Sequence, residues 1–325
     1  MSMRRLIALL TSVSLCVGAT AALAESAGEF PSRPIRILVP FTAGSGSDSS
    51  ARYYGEALGR LLRQPVVVEN RPGANGVIAI QALKSAPADG YTMLLASNSP
   101  MSVNPLVLKN LPYDPVKDLR PVSGISRNMN VFIVAVDSPI KSLSDVVSNA
   151  RGKDKSLSVG TYSAGYQLAA AWFANLAGLN FVNIPYKGQA QIMTDVMGRQ
   201  LDLALVDTSG ALTLIREGKL RALAVSGEAR HRELPDVPTV RELGYPEYRQ
   251  YSWVSFYVRA GTPDAITDKL ARAMQQILKT PESTAFLDTK GSDVMAYPPQ
   301  QMHAFHLAEI ERFRKVAKGA GIKPE

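Results

Sequence analysis

The stretch Ile35-Arg36-Ile37-Leu38-Val39-Pro40-Phe41-Thr42-Ala43-Gly44-Ser45-Gly46-Ser47-Asp48 decides how this chain reads. Ile35, Ile37, Val39 and Phe41 alternate with the period of a strand. The second half is small and hydroxylic and runs into Ala51, Tyr54, Ala57, Leu58, Leu61 and Leu62, which share one face of a helix. A strand therefore ends in a slim loop that opens a helix. The first amides of a helix lack intrahelical acceptors and lie at its positive end. A loop of glycine and serine lets an anion approach them. The expectation is that Gly44 to Asp48 holds a carboxylate.

Working outward, Met1 to Ala24 reads as a secretory signal peptide. It has a basic start at Arg4-Arg5, an apolar run from Leu6 to Val17, and an Ala22-Leu23-Ala24 end. The sole cysteine, Cys16, lies inside it and follows Leu15 rather than the small residue of a lipid-anchored leader. The mature chain is then free of cysteine, which excludes disulfides and thiolate metal sites. The formal charge of +8 falls, by the charges of Arg4 and Arg5, to +6. Lysines and arginines are scattered, so a field that draws in small anions fits better than a nucleic-acid surface.

Val66 to Glu69 reads as a short buried strand, Val77 to Lys84 as a helix, and Tyr91 to Ala96 as a strand ending in Ser97-Asn98-Ser99. This βαβαβ grammar implies a parallel sheet with helices on its faces. Asn104 to Pro121, rich in proline and turn residues, reads as a connecting excursion. A second α/β series follows. Its strands are Val131–Val136, Leu157–Gly160, Phe181–Pro185, Leu203–Val206 and Leu220–Val225, with a helix at Ser144–Ala150 and another behind Gly165. Three of these strands end in Thr161-Tyr162-Ser163-Ala164-Gly165, in Tyr186-Lys187-Gly188 and in Asp207-Thr208-Ser209. Trp253–Val258 is again strand-like, and helices follow at Asp264–Leu278 and Pro299–Lys318. Two α/β series with similar polar loops at their strand ends suggest two lobes facing across a cleft.

Three chemistries compete for those loops. Gly44-Ser45-Gly46 resembles the start of a dinucleotide fingerprint with Glu69 at the ribose distance, but Ser49 stands at the third glycine. A hydrolase built on Ser163 would need His231 or His303 as base, yet Gly160 to Gly165 is one residue too long for the strained G-x-S-x-G turn. His231, in a charged run, reads as a solvated surface residue. His303 and His306 read as one helix face without the acidic neighbours of a metal site. The binding reading offers the hydroxyls of Ser45, Ser47, Ser97, Ser99, Thr161, Ser163 and Thr208 to a polar ligand. Each could instead cap its helix. Lys187 is a candidate partner for a ligand carboxylate, and Asp207 could accept from a ligand donor or hold a neighbouring loop.

Pro40 to Asp48 and Val68-Glu69-Asn70-Arg71-Pro72-Gly73-Ala74 resemble the tripartite tricarboxylate transporter substrate-binding proteins, the Bug receptors. Asp89-Gly90-Tyr91-Thr92, Leu111 to Pro115, Pro185 to Gly188, Gly218 to Val225, Pro235 to Thr239 and Ala260 to Pro263 are similar to further signatures of that family. The resemblance implies a two-lobed α/β fold of the type II periplasmic-binding-protein kind. Its chain crossings would lie near Arg127 and Ser252, giving lobe 1 as 30–127 with 253–325 and lobe 2 as 128–252. It also implies a periplasmic, monomeric, non-catalytic receptor without cofactor. Such a receptor closes on a small organic carboxylate and presents it to membrane transporter subunits or, alternatively, to a sensor kinase. The implied ligand-binding residues are Phe41, Thr42, Ala43, Gly44, Ser45, Gly46, Ser47, Asp48, Ser97, Asn98, Thr161, Tyr162, Ser163, Ala164, Gly165, Tyr186, Lys187, Gly188, Asp207 and Thr208. The sequence departs from the family pattern at Ser45, which replaces a glycine, in a shortened loop after Gly165, and at Gln167, where histidine is common. Tyr162 or Tyr166 would fill the space left by that loop.

Overall fold

Among the described residues, ten strands join into one continuous hydrogen-bonded array that changes character partway along its longest strand. The computed structural model describes residues 29–150, 156–322 and 324, so the expected signal peptide lies outside the described residues. The strands are β1 (Ile35–Val39), β2 (Val66–Asn70), β3 (Thr92–Ser97), β4 (Leu119–Ala135), β5 (Leu157–Thr161), β6 (Phe181–Pro185), β7 (Leu203–Asp207), β8 (Leu220–Val225), β9 (Tyr251–Arg259) and β10 (Asp293–Val294). The helices are α1 (Gly46–Leu62), α2 (Val77–Ser85), α3 (Asn104–Val107), α4 (Leu143–Ala150), α5 (Ala164–Ala177), α6 (Gln189–Met197), α7 (Thr208–Arg216), α8 (Asp264–Leu278), α9 (Pro281–Thr289) and α10 (Pro299–Gly319). A single π-helical turn, Ser99–Val103, leads into α3.

In the first half, β1 pairs in parallel with β2 and β3, and β3 pairs antiparallel with β9. Ile35, Ile37 and Val39 face one core with Tyr54, Leu58 and Met274, while Leu38 faces another with Ile80, Leu83 and Trp253. Both faces of β1 are thus covered, as parallel strands require. The second half packs in the same way. Phe132, Val134 and Phe173 form one core, and Val131, Ile133 and Ile192 form the other.

β4 connects the halves. As far as Met129 it pairs with β9, and from Asn130 onward it pairs with β7 and β8. At the change of partner, four buried polar residues knot the two strands together. The Ser226 hydroxyl accepts from the Asn130 amide at 2.8 Å and donates to the Gln250 carbonyl. The Gln250 amide donates to the Ser226 carbonyl at 2.9 Å, and the Ser252 hydroxyl donates to Asn130 Oδ1 at 2.8 Å.

Several expectations change. The excursion expected up to Pro121 ends earlier, because β4 begins at Leu119. Register shifts between Pro121 and Ser123 and between Gly124 and Ser126 absorb Pro121, which read as part of the excursion, and Gly124. β2 is a half-buried edge strand rather than a buried one, with Val67 55% exposed. Leu61, expected on the buried face of α1, is exposed. Helix α9 was not anticipated. His231 is not a solvated surface residue but 2% exposed. Its Nε2 donates to the Gly291 carbonyl at 2.9 Å, and its Nδ1 accepts from the Glu233 amide at 3.2 Å. His306 is likewise buried and donates to the Met101 carbonyl at 2.9 Å.

Two outcomes follow for stability. Phe173 is fully buried, with ring centroids of Phe132 and Tyr245 at 5.1 and 5.2 Å. Phe173→Ala should cost about 3–5 kcal/mol in urea unfolding, the usual loss for an emptied aromatic site. Burial holds the His231 and His306 rings below their ordinary value of 6.5. The unfolded chain therefore takes up protons first as pH drops through about 6.5, and stability should fall from there toward the lowered folded values. Burial raises Asp207, which contributes with the opposite sign. The comparison is therefore made against the His231→Gln/His306→Gln double variant, whose melting temperature should fall less between about pH 7.5 and about pH 5.5.

Candidate functional site

The loop between β1 and α1 is built by Asp48. Although burial pushes its pKa up, the Arg52 guanidinium, the Gly44 amide and the Asn70 side chain hold it below the usual carboxylate range. Its oxygens accept from Gly44 N at 2.9 Å, Arg52 Nε at 3.1 Å and Asn70 Nδ2 at 2.9 Å. Gly44 supplies the left-handed backbone, φ +81°, that the bend requires. Ser45 then caps α1 by accepting from the Asp48 amide at 3.2 Å. Asp48 thus shapes the loop through its own carboxylate.

Facing that loop is a narrow cleft with about 70 Å³ of internal room and walls from both halves. Of the expected residues it gathers Phe41, Ser45, Gly46 and Ser47 from the first loop, and Ser97 and Asn98 from the end of β3. From the second half it gathers Tyr162, Ser163 and Asp207. Thr42, Ala43, Gly44, Lys187 and Gly188 line an adjoining depression at the mouth. The remaining side chains are engaged elsewhere. Thr161 donates to Asn183 at 2.6 Å, Tyr186 to Asp195 at 2.6 Å, and Thr208 to the Met129 carbonyl at 2.7 Å. These three bonds tie strand ends to their neighbours. Ala164 and Gln167 turn to a separate groove beside residues 320–322, so the departure at Gln167 lies away from the cleft.

The halves meet at Ser99 and α5. The Ser163 and Ser99 hydroxyls lie 2.8 Å apart, and the Gly165 amide donates to Ser99 Oγ at 3.1 Å. Ser163 makes no side-chain cap to its own helix, so Ser99 caps α5 from the opposite half. Gly165 has to be small here, because a methyl would lie 2.6 Å from Ser99 Oγ and 3.0 Å from Asn98 Nδ2. Ser163 is hydrogen-bonded to Ser99, and His231 to Gly291 and Glu233; the two do not form a nucleophile–base pair. Among the described residues no group of three or more His, Cys, Asp or Glu could hold a metal ion.

Tyr162 and Tyr166 pack against each other on the cleft floor, their rings tilted by 31° with centroids 4.3 Å apart and hydroxyls 2.7 Å apart. Tyr166 Oη lies 2.9 Å from the Ser252 hydroxyl and donates to Asp207 at 3.4 Å. Burial, reinforced by the Asp207 charge, raises both phenols far above their ordinary value, so they stay protonated donors. Sequence reasoning did not assign Asn128, Gln189, Ser252 or Lys290 to this cleft. Asn128 and Ser252 lie inside paired strands, and Gln189 and Lys290 lie at the ends of unanticipated helices. The only signal was the proximity of Asn128 and Ser252 to the expected crossings. Two buried acceptors or donors in the cleft wall, Ser97 Oγ and Asn128 Oδ1, have no protein partner.

Residues 50–322 match the model of the tripartite tricarboxylate transporter family receptor. The chain is 33% identical to protein BugT of Bordetella pertussis over 99% of both chains. A Rhodopseudomonas palustris protein solved with adipate superposes with a TM-score of 0.87 at 32% identity, covering 91% of this chain and 100% of that one. MatC of Rhodopseudomonas palustris, solved with bound malate, gives a TM-score of 0.81 at 25% identity over 88% and 99% of the two chains. The fold is that of the periplasmic solute-binding proteins, and the chain belongs to the tripartite tricarboxylate transporter family receptors.

Proposed function

We propose that this chain is an exported, non-catalytic receptor that closes two lobes, 30–127 with 253–325 and 128–252, on a small organic carboxylate. As a monomer in the periplasm it delivers that acid to the membrane subunits of a tripartite tricarboxylate-type transporter. The observation that carries the reading is the pair of unpartnered polar atoms, Ser97 Oγ and Asn128 Oδ1, in a cleft where the loops of both halves converge. Buried polar groups normally find a partner, and a polar ligand would supply one. The starts of α1 and α5 open on the same cleft and favour negative charge. The relatives solved with adipate and malate support a carboxylate as cargo.

A thermal-shift screen of the mature protein against mono-, di- and tricarboxylates, aromatic acids and amino acids tests the proposal. A one-site ligand at a hundred times its dissociation constant stabilises by about 2.7 kcal/mol, a readily measured rise in melting temperature. The absence of any such rise, together with no acid released from the unfolded protein in mass spectrometry, overturns the reading. Gly165→Ala should hold the two halves apart at Ser99, weakening binding of any hit by roughly tenfold or more in calorimetry.

A further inference from the structure

Besides the polar knot along β4, the two halves touch at places of different character. On the α5 side the contact is apolar and deep. Phe313, Val316 and Ala317 of α10, with Val103, share one buried cluster with Ala164 and Leu168 of α5. Beside α9 the contact is a few polar bonds. His231, in the loop after β8 of the second half, seats its ring on the Gly291 turn of the first. There Nε2 donates to the Gly291 carbonyl at 2.9 Å, and a methyl on Gly291 would collide with the imidazole. Arg232 donates to the Ser292 carbonyl at 3.2 Å and pairs with Asp288 at 2.9 Å. Lys290 and Ser292 of the same turn line the cleft. Apolar burial resists separation in proportion to its area, whereas exposed ion pairs add little. Movement of the halves therefore breaks the polar contact first.

We infer that His231 is a positioning residue that works as a proton-operated latch. As a neutral ring it pins the 290–292 turn against the second half, and its protonation frees that turn and opens the cleft. Both ring nitrogens are in use, Nε2–H toward Gly291 and the Nδ1 lone pair toward the Glu233 amide at 3.2 Å. A second proton enters only at Nδ1, where it meets the N–H of Glu233, so the bond that fixes the loop is lost. The charged groups facing the ring are Arg232 and Glu233 in its own loop and Asp293 on β10. Asp288 on α9 and Arg216 on α7 are engaged with Arg232 and Glu233, and Lys290 lies over the Phe286 ring at 6.0 Å. Among the described residues no carboxylate bonds the imidazole itself, so burial dominates and disfavours the charged ring in its seat. Separation of the halves returns the ring to water, where it charges at its ordinary value. Acid therefore draws the halves apart. This latch acts on the free protein, whichever acid the cleft takes.

Residues 25–325 contain no cysteine, so a pair of spin labels reports the separation of the halves in the mature protein. Exposed Lys219→Cys in the second half and Lys279→Cys in the first provide the sites. Distances are measured without any added acid ligand. Between about pH 7.5 and about pH 5.5 the open-to-closed ratio should rise about tenfold, because the exposed ring takes up its proton near 6.5 and the seated ring does not. His231→Gln keeps a donor and an acceptor but cannot charge, and it should stay closed at both ends of the range. His306→Gln should open with acid as the wild type does. Wild-type distances that stay constant across the range overturn the latch. So does a His231→Gln variant that opens with acid, or a His306→Gln variant that no longer does.

Discussion

The arrangement of this molecule depends on a polar knot where the chain passes between its halves. Asn130, Ser226, Gln250 and Ser252 are buried, and each satisfies another across β4, β9 and the end of β8. Apolar residues at this point would glue the halves without fixing their angle, because apolar contact is non-directional. Hydrogen bonds fix it, and leaving any of them unmade in a buried site is expensive. The cleft inherits its shape from that angle. Asp207 pairs in register with Asn130, and Ser252 reaches Tyr166, so the cleft floor is an extension of the knot itself.

How much of this was legible in the sequence depended on whether the signal was local. The turn from β1 through Gly44 to α1 was legible because strand alternation, a left-handed glycine and a capping serine follow one another within a few residues. The second α/β series, α8 and α10 were legible from apolar periodicity. β4 was half missed, since Pro121 and Gly124 carry breaker chemistry and only the pairing with β9 shows that bulges absorb them. The same holds for His231. Its charged neighbours indicated solvent, and the Gly291 carbonyl that draws the ring inward lies sixty residues away in the chain.

The cleft was legible to about the same depth. Loops at strand ends announced Phe41, Ser45, Ser97, Ser163 and Asp207, all of which line it. Asn128 and Ser252 could not be announced, because nothing in a strand sequence marks the residue at which pairing changes hands. The roles within the loops were also hidden. Thr161 and Thr208 have the composition of ligand-binding residues but use their hydroxyls to fasten β5 and α7 to their neighbours. Hydroxyl chemistry is the same in both uses, and only geometry separates them.

The carboxylate of Asp48 has a further consequence, which concerns entropy. Ordering a residue of backbone costs roughly 1–2 kcal/mol, and a flexible anion-binding loop would meet that cost each time a ligand arrived. Here Gly44, Arg52 and Asn70 are already fastened to one buried acid. The loop is therefore set when the protein folds, long before cargo is encountered. Encounter then needs little local rearrangement on the α1 side.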